Sequence, residues 1–167
     1  DNPSLERVEG FGQVTEINDL YINSNDNLLT IDGFVSLLRA PTLTITENPA
    51  LEEITAFSRL ESTTNMNISS NRVLEVLQAF PVLESLNRLT LHSNAGLTEI
   101  GGFGRLTDVL DYISIRSNGE LRQVGGFNAL ISMRNLTIQD NLNLSTIVGF
   151  RSLERVNSEM RIWNNDN

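Results

Sequence analysis

The seven phenylalanines of this chain share one register. They are spaced by 23 residues, with a single step of 24, and lie at Phe11, Phe34, Phe57, Phe80, Phe103, Phe127 and Phe150. Chance does not place every copy of one bulky apolar residue in this way, so the chain is one unit repeated about seven times. A repeat of this length, within the range of roughly 20 to 50 residues, is typical of solenoids, propellers and arrays.

Each repeat also has fixed polar, small and apolar positions. It opens with an asparagine, has leucine at the fourth position and a glycine or alanine directly before the phenylalanine. Two apolar residues separated by one residue then precede the next asparagine, as in Leu43/Ile45 and Leu89/Leu91. The repeats begin at residues 2, 25, 48, 71, 94, 118 and 141, and an eighth begins at Asn164 or Asn165.

The alternating apolar pair indicates one β-strand in every repeat, with one side chain facing in and the next facing out. A single strand cannot bury its apolar side alone, so neighbouring repeats must pair in parallel, about 4.8 Å apart, around a shared core. The sequence therefore predicts one domain over residues 1–167. Its fold is a right-handed parallel β-helix or leucine-rich-repeat-like stack of seven coils of 23 or 24 residues.

The repeated positions have structural explanations. The asparagine lies where the strand leaves the sheet, so its amide is expected to bond open backbone groups and stack as a ladder. The position before the phenylalanine holds either glycine or alanine. Because alanine resists a positive φ, a close approach of backbone explains the small residue better than a left-handed conformation does. The phenylalanines are expected to form the core rather than a ligand cage.

Composition narrows the function classes. The chain has a net charge of −9, 40% apolar residues, one histidine and no cysteine. Nucleic acid and anionic membranes bind basic surfaces, so neither is an expected partner. No segment approaches the roughly 18 apolar residues of a membrane-spanning helix, so membrane insertion is not expected. With one histidine and no cysteine, no metal site and no cofactor is expected either.

The stretch Leu89-Thr90-Leu91-His92-Ser93-Asn94, followed by Leu97 and Ile100, resembles a leucine-rich repeat. The string from Asn48 to Phe57, with two residues between asparagine and leucine and then a small residue before phenylalanine, resembles the receptor L domain. That domain is the ligand-binding solenoid of the insulin and epidermal growth factor receptor family. The chain is also similar to repeats of fungal GPI-anchored cell-wall glycoproteins and bacterial surface proteins. The resemblance implies an extracellular or cell-surface location, although receptor L domains have disulfide-braced ends and this chain has no cysteine.

The residues that flank the apolar pair form three outward columns along the sheet. The middle column is mostly small and polar, whereas its neighbours become bulkier from the fourth repeat onward, which predicts a shallow trough in the second half. An extra residue near Leu110 and Asp111 predicts a bulge beside it. Exposed aromatic and fork-shaped donor groups suit sugars, carboxylates or a protein hot spot. The candidate ligand-binding residues are Arg88, His92, Tyr112, Arg116, Gln139, Arg161 and Trp163.

Enzyme signatures are weak. A Ser–His–Asp arrangement around His92 would need Asp111, and no glycosidase-like carboxylate pair emerges from the outward columns. We therefore expect a non-enzymatic recognition or adhesion module that binds a protein or carbohydrate ligand on the polar strand face. The alternative is a structural spacer or cell-wall stalk. Because the chain begins and ends near repeat boundaries, end-to-end or face-to-face self-association is an open expectation.

Overall fold

The computed structural model describes residues 2–165, which contain fourteen β-strands and no helix. Seven of these strands form one continuous parallel sheet, which we call the main sheet. Its strands are β2 (Asp19–Asn23), β4 (Thr42–Thr46), β6 (Asn65–Ser69), β8 (Ser85–His92), β10 (Asp108–Arg116), β12 (Ser132–Gln139) and β14 (Arg155–Trp163). This order confirms the predicted β-solenoid of about seven turns.

The other seven strands have two residues each and form a narrow face that is divided into two sheets. The first sheet contains β1 (Arg7–Val8), β3 (Thr30–Ile31) and β5 (Glu53–Ile54). The second contains β7 (Val76–Leu77), β9 (Glu99–Ile100), β11 (Gln123–Val124) and β13 (Thr146–Ile147). In the first coils a third face is closed by single bridges that join Glu16, Arg39, Ser62 and Ser85 in turn.

The core runs along the solenoid axis and contains the predicted apolar positions. Successive phenylalanine rings stack with centroids 4.9 to 5.9 Å apart, and Phe57, Phe80, Phe103 and Phe127 are fully buried. Phe11 departs from the expected burial and is 57% exposed, because it lies in the first described coil. At the other end of the stack, Met160 and Ile162 of β14 are also exposed.

The asparagine column forms the predicted ladder. The backbone N–H of Asn48 donates to Oδ1 of Asn71 at 3.2 Å, and Nδ2 of Asn48 donates to the Ile22 carbonyl at 3.0 Å. The same pattern repeats along the stack. Its last member is Asn165, which accepts from the Asn141 backbone at 3.1 Å, so the eighth unit begins at Asn165.

The small residue before the phenylalanine does lie against the preceding coil. A Cβ added at Gly33 or Gly149 would come within 2.8 Å of backbone in the coil before it. Gly102 and Gly126 combine such an approach with φ of +83°, so positive φ contributes as well. Close approach is therefore the reason for a glycine in the later coils, with left-handed backbone as an added reason in two of them, whereas Gly10 of the first coil has a φ of +89° and no atom within 4 Å of an added Cβ.

The main sheet changes character at the fourth coil. Strands β2, β4 and β6 have five residues, whereas β8, β10, β12 and β14 have eight or nine. The register shifts between Val109 and Tyr112, where the sequence predicts an extra residue. A second register shift lies within the pairing of β12 with β14. The longer strands widen the outward face over the second half of the molecule.

Candidate functional site

The outward columns of the main sheet have the register that the repeat predicts. In the first column, Tyr112 pairs with Arg88 on one side and with Asn135 on the other. The third column continues from His92 through Arg116 and Gln139 to Trp163 on neighbouring strands. The small polar residues of the middle column lie between these two rows.

A shallow depression of about 630 Å³ lies over strands β8, β10, β12 and β14. Hydroxyl-bearing residues of the middle column form its floor, namely Thr90, Ser114 and Thr137. Its sides are lined by Tyr112 and Asn135 of the first column and by His92, Arg116 and Gln139 of the third, together with Ser93, Ser117, Asp140, Glu159 and Arg161. The trough predicted from the column pattern is thus present in the second half.

An ion pair holds the first column in place beside the bulge. Arg88 Nε donates to Asp111 Oδ2 at 2.7 Å, and the guanidinium carbon lies 6.0 Å from the centroid of the Tyr112 ring. The hydrogen bond and the charge of Asp111 raise the pKa of Arg88 above its ordinary value. The extra residue at the bulge therefore supplies the carboxylate that fixes Arg88 against Tyr112.

Three pairs of charged or polar side chains around the depression contact each other. Arg161 Nε lies 2.8 Å from Glu159 Oε1, and Gln139 Nε2 donates to Asp140 Oδ2 at 2.6 Å. His92 Nδ1 lies 2.9 Å from the hydroxyl of Ser93. Arg116 differs from these residues: it is exposed, and across residues 2–165 no carboxylate lies within ion-pair distance of it. One guanidinium at the side of the depression is thus open to an incoming group.

The depression brings together five of the seven predicted site residues: His92, Tyr112, Arg116, Gln139 and Arg161. Arg88 does not line it, because Asp111 and Tyr112 hold its side chain at the edge. Trp163 lies farther along the third column on the terminal strand β14 and is 54% exposed.

Sequence reasoning missed the residues of the turn next to the third column. Ser93, Ser117 and Asp140 each have a left-handed φ of 54° to 58° and directly precede a ladder asparagine. Their side chains line the depression on the side where the strands end. The position before each asparagine is the signal that could have identified them.

The side chains around the depression offer hydrogen-bonding groups and one guanidinium, that of Arg116, without an ion-pair partner in the described part of the chain. They do not form the Ser–His–Asp arrangement considered around His92. Asp111 accepts from Arg88, whereas the histidine contacts its sequence neighbour Ser93. Among the described residues, no group of three or more His, Cys, Asp or Glu side chains could hold a metal ion. The same part of the chain contains no helix that could cross a membrane.

The chain matches no family model, no curated protein sequence and no solved structure.

Proposed function

We propose that this protein is a non-enzymatic recognition module that binds its ligand in the depression on the main sheet. The observation that carries the proposal is the way the side chains are distributed along one regular face. Large polar side chains and the ring of Tyr112 border a floor of hydroxyls on β8, β10 and β12. Ligand sites combine a concave surface with a few polar groups that fix orientation, and this depression has both features.

An extracellular or cell-surface location belongs to the same proposal. Its support is the resemblance of the repeat to receptor L domains and to surface repeat proteins, in which a solenoid face meets a ligand outside the cell.

The absence of lysine is consistent with a face built for directional contacts, because all twelve basic residues are arginines. Arginine forms planar, two-pronged hydrogen bonds that lysine does not.

The decisive experiment fills the floor of the depression. Ser114→Tyr should reduce ligand capture on glycan and ectodomain arrays by at least about tenfold, a loss of roughly 1.4 kcal/mol in binding free energy. The matched control is Thr44→Tyr, which places the same side chain in the same column two strands before β8. That column already holds Tyr21, so tyrosine suits its backbone. Both variants should keep the wild-type unfolding midpoint.

A structural spacer is the second candidate, and the continuity of the stack favours it. The phenylalanine rings and the asparagine ladder run unbroken through the described coils, as a stiff rod requires. If no probe is captured, or if Ser114→Tyr binds as wild type does, the recognition proposal is wrong and the spacer remains.

A further inference from the structure

The two parts of the solenoid carry very different net charges. Residues 1–70, the first three coils, contain eleven acidic residues and three arginines, for a net charge of −8. Residues 71–167 contain ten acidic residues and nine arginines, for a net charge of −1. An anionic ligand is therefore repelled less by the last four coils than by the first three.

Within the depression the charges leave a single open docking point for an anion. Glu159 neutralises Arg161, and Asp140 accepts hydrogen bonds from Gln139 and from Asn164. Arg116 keeps its guanidinium exposed between His92 and Gln139 of the adjacent strands. A planar guanidinium matches the two oxygens of a carboxylate and binds them through two parallel hydrogen bonds. Arg116 can thus hold a carboxylate at the third column, although Asp140 keeps its negative charge because only neutral amides donate to it.

The floor selects a hydroxyl-rich ligand. Thr90, Ser114 and Thr137 lie in register on neighbouring strands, so their hydroxyls recur about every 4.8 Å along the solenoid axis. A pyranose unit in an extended β-linked chain advances by a similar length, so each sugar can meet one strand. The lining contains a single aromatic residue, Tyr112, and no large aliphatic side chain. A peptide hot spot relies on buried aromatic or arginine anchors in well-packed pockets, which this open polar surface does not provide.

We infer that the depression binds an acidic polysaccharide, a β-linked chain of uronic acid units that lies along the solenoid axis with one carboxylate on Arg116. This inference rests on the proposed function and names its ligand class. His92 and Gln139 flank Arg116 and donate to sugar hydroxyls, while the floor hydroxyls exchange hydrogen bonds with the sugar units above them. The ring of Tyr112 borders the chain on the opposite side.

Short β-1,4-linked mannuronate oligomers and β-1,4-mannan oligomers of the same length provide the test, because they differ mainly in the carboxylate. Titration calorimetry on the full chain should give an affinity for the mannuronate at least about tenfold higher than for the mannan. Arg116→Gln should weaken mannuronate binding by about 10- to 100-fold, because it removes a charge-assisted contact, and should leave mannan binding unchanged. The control is Arg122→Gln, an exposed arginine next to β11 on the narrow face. It should bind both probes as wild type does.

Different failures separate this inference from the proposed function. Equal affinity for the two oligomers, or wild-type mannuronate binding by Arg116→Gln, would overturn the acidic ligand class but leave a recognition site in place. If neither oligomer binds, but a protein is captured and Ser114→Tyr abolishes that capture, the carbohydrate ligand class would be wrong. The proposed recognition function would remain. Mannuronate binding that Ser114→Tyr does not affect would place the sugar elsewhere and overturn the inference.

Discussion

At the scale of single residues, the ladder asparagine satisfies more buried backbone than any other position in the repeat. Asn71 is fully buried, donates from Nδ2 to the Ile45 carbonyl at 2.9 Å and accepts from the Asn48 backbone N–H at 3.2 Å. Both backbone groups lie at the end of β4, three residues apart. One side chain therefore ties the end of β6 to the end of the neighbouring strand, at the point where the main sheet ends.

Asn71→Ala should lower the free energy of unfolding by about 3 to 5 kcal/mol, because it leaves a buried N–H and a buried carbonyl without partners. The exposed Asn128 gives the matched control, and Asn128→Ala should change stability by less than about 0.5 kcal/mol. Urea unfolding followed by circular dichroism measures both values. Similar effects in the two variants would contradict the structural role of the ladder.

The ladder and the phenylalanine stack could be predicted from sequence because each position repeats one residue type. The turn beside the depression could not. The position directly before the asparagine is visible in the sequence, but no single residue type fills it: four coils have serine there, whereas the others have Glu47, Asp140 and Asn164. What they share is a backbone conformation, which a sequence column does not display. The partners of the site residues, such as Asp111 with Arg88, likewise depend on side-chain geometry at the bulge.

At the scale of elements, the narrow face is interrupted between coils three and four. Strands β5 and β7 do not pair, although every other neighbouring pair of short strands in the described residues does. The coil after the break has Ala79 at the position where glycine allows close approach. A cavity of about 570 Å³ opens there, and it is lined by Glu52, Glu53 and Glu75 among others. The added methyl group and the three like charges both favour separation of the coils.

Ala79→Gly should close this break. In the next coil, Thr98 and Gly101 donate to the carbonyls of Glu75 and Leu77 at 2.9 and 2.8 Å. By the same register, the Glu75 and Gln78 amides should bond the preceding coil once the methyl group is removed. Hydrogen exchange at these two amides should slow at least about tenfold, even though glycine costs about 0.5 to 1 kcal/mol of backbone entropy.

Ala56→Gly is the matched control for that experiment, because β3 and β5 already pair in its coil. It carries the same entropic cost and should produce no new protection. Unchanged exchange at Glu75 and Gln78 in Ala79→Gly would assign the break to the glutamates instead. The sequence alone could not reveal the break. Alanine and glycine are both small enough for this position of the repeat, and the coil that contains Ala56 has no break.

At the scale of the whole molecule, the repeat architecture separates stability from recognition. Each coil contacts only the coils before and after it, so the total stability is approximately a sum over coils and their interfaces. The depression occupies coils four to seven, while the first three coils carry most of the net negative charge. The first coils therefore influence the site through their negative charge and by covering the end of the coils that carry the depression. They do not line the depression themselves.

Deleting residues 25–47, one coil of 23 residues, joins Ser24 to Asn48 in the same register. The phenylalanine stack then continues from Phe11 to Phe57, and the unfolding midpoint should fall because one coil interface is lost. Hydrogen-exchange protection of Ile115 and Ile138, which lie beneath the depression, should persist. Deletion of residues 94–117 preserves the register equally well but removes Tyr112, Ser114 and Arg116, so that variant should fold and lose all capture on the arrays. If the first deletion also abolished protection at Ile115, the solenoid would be a single cooperative unit rather than a stack of separable coils.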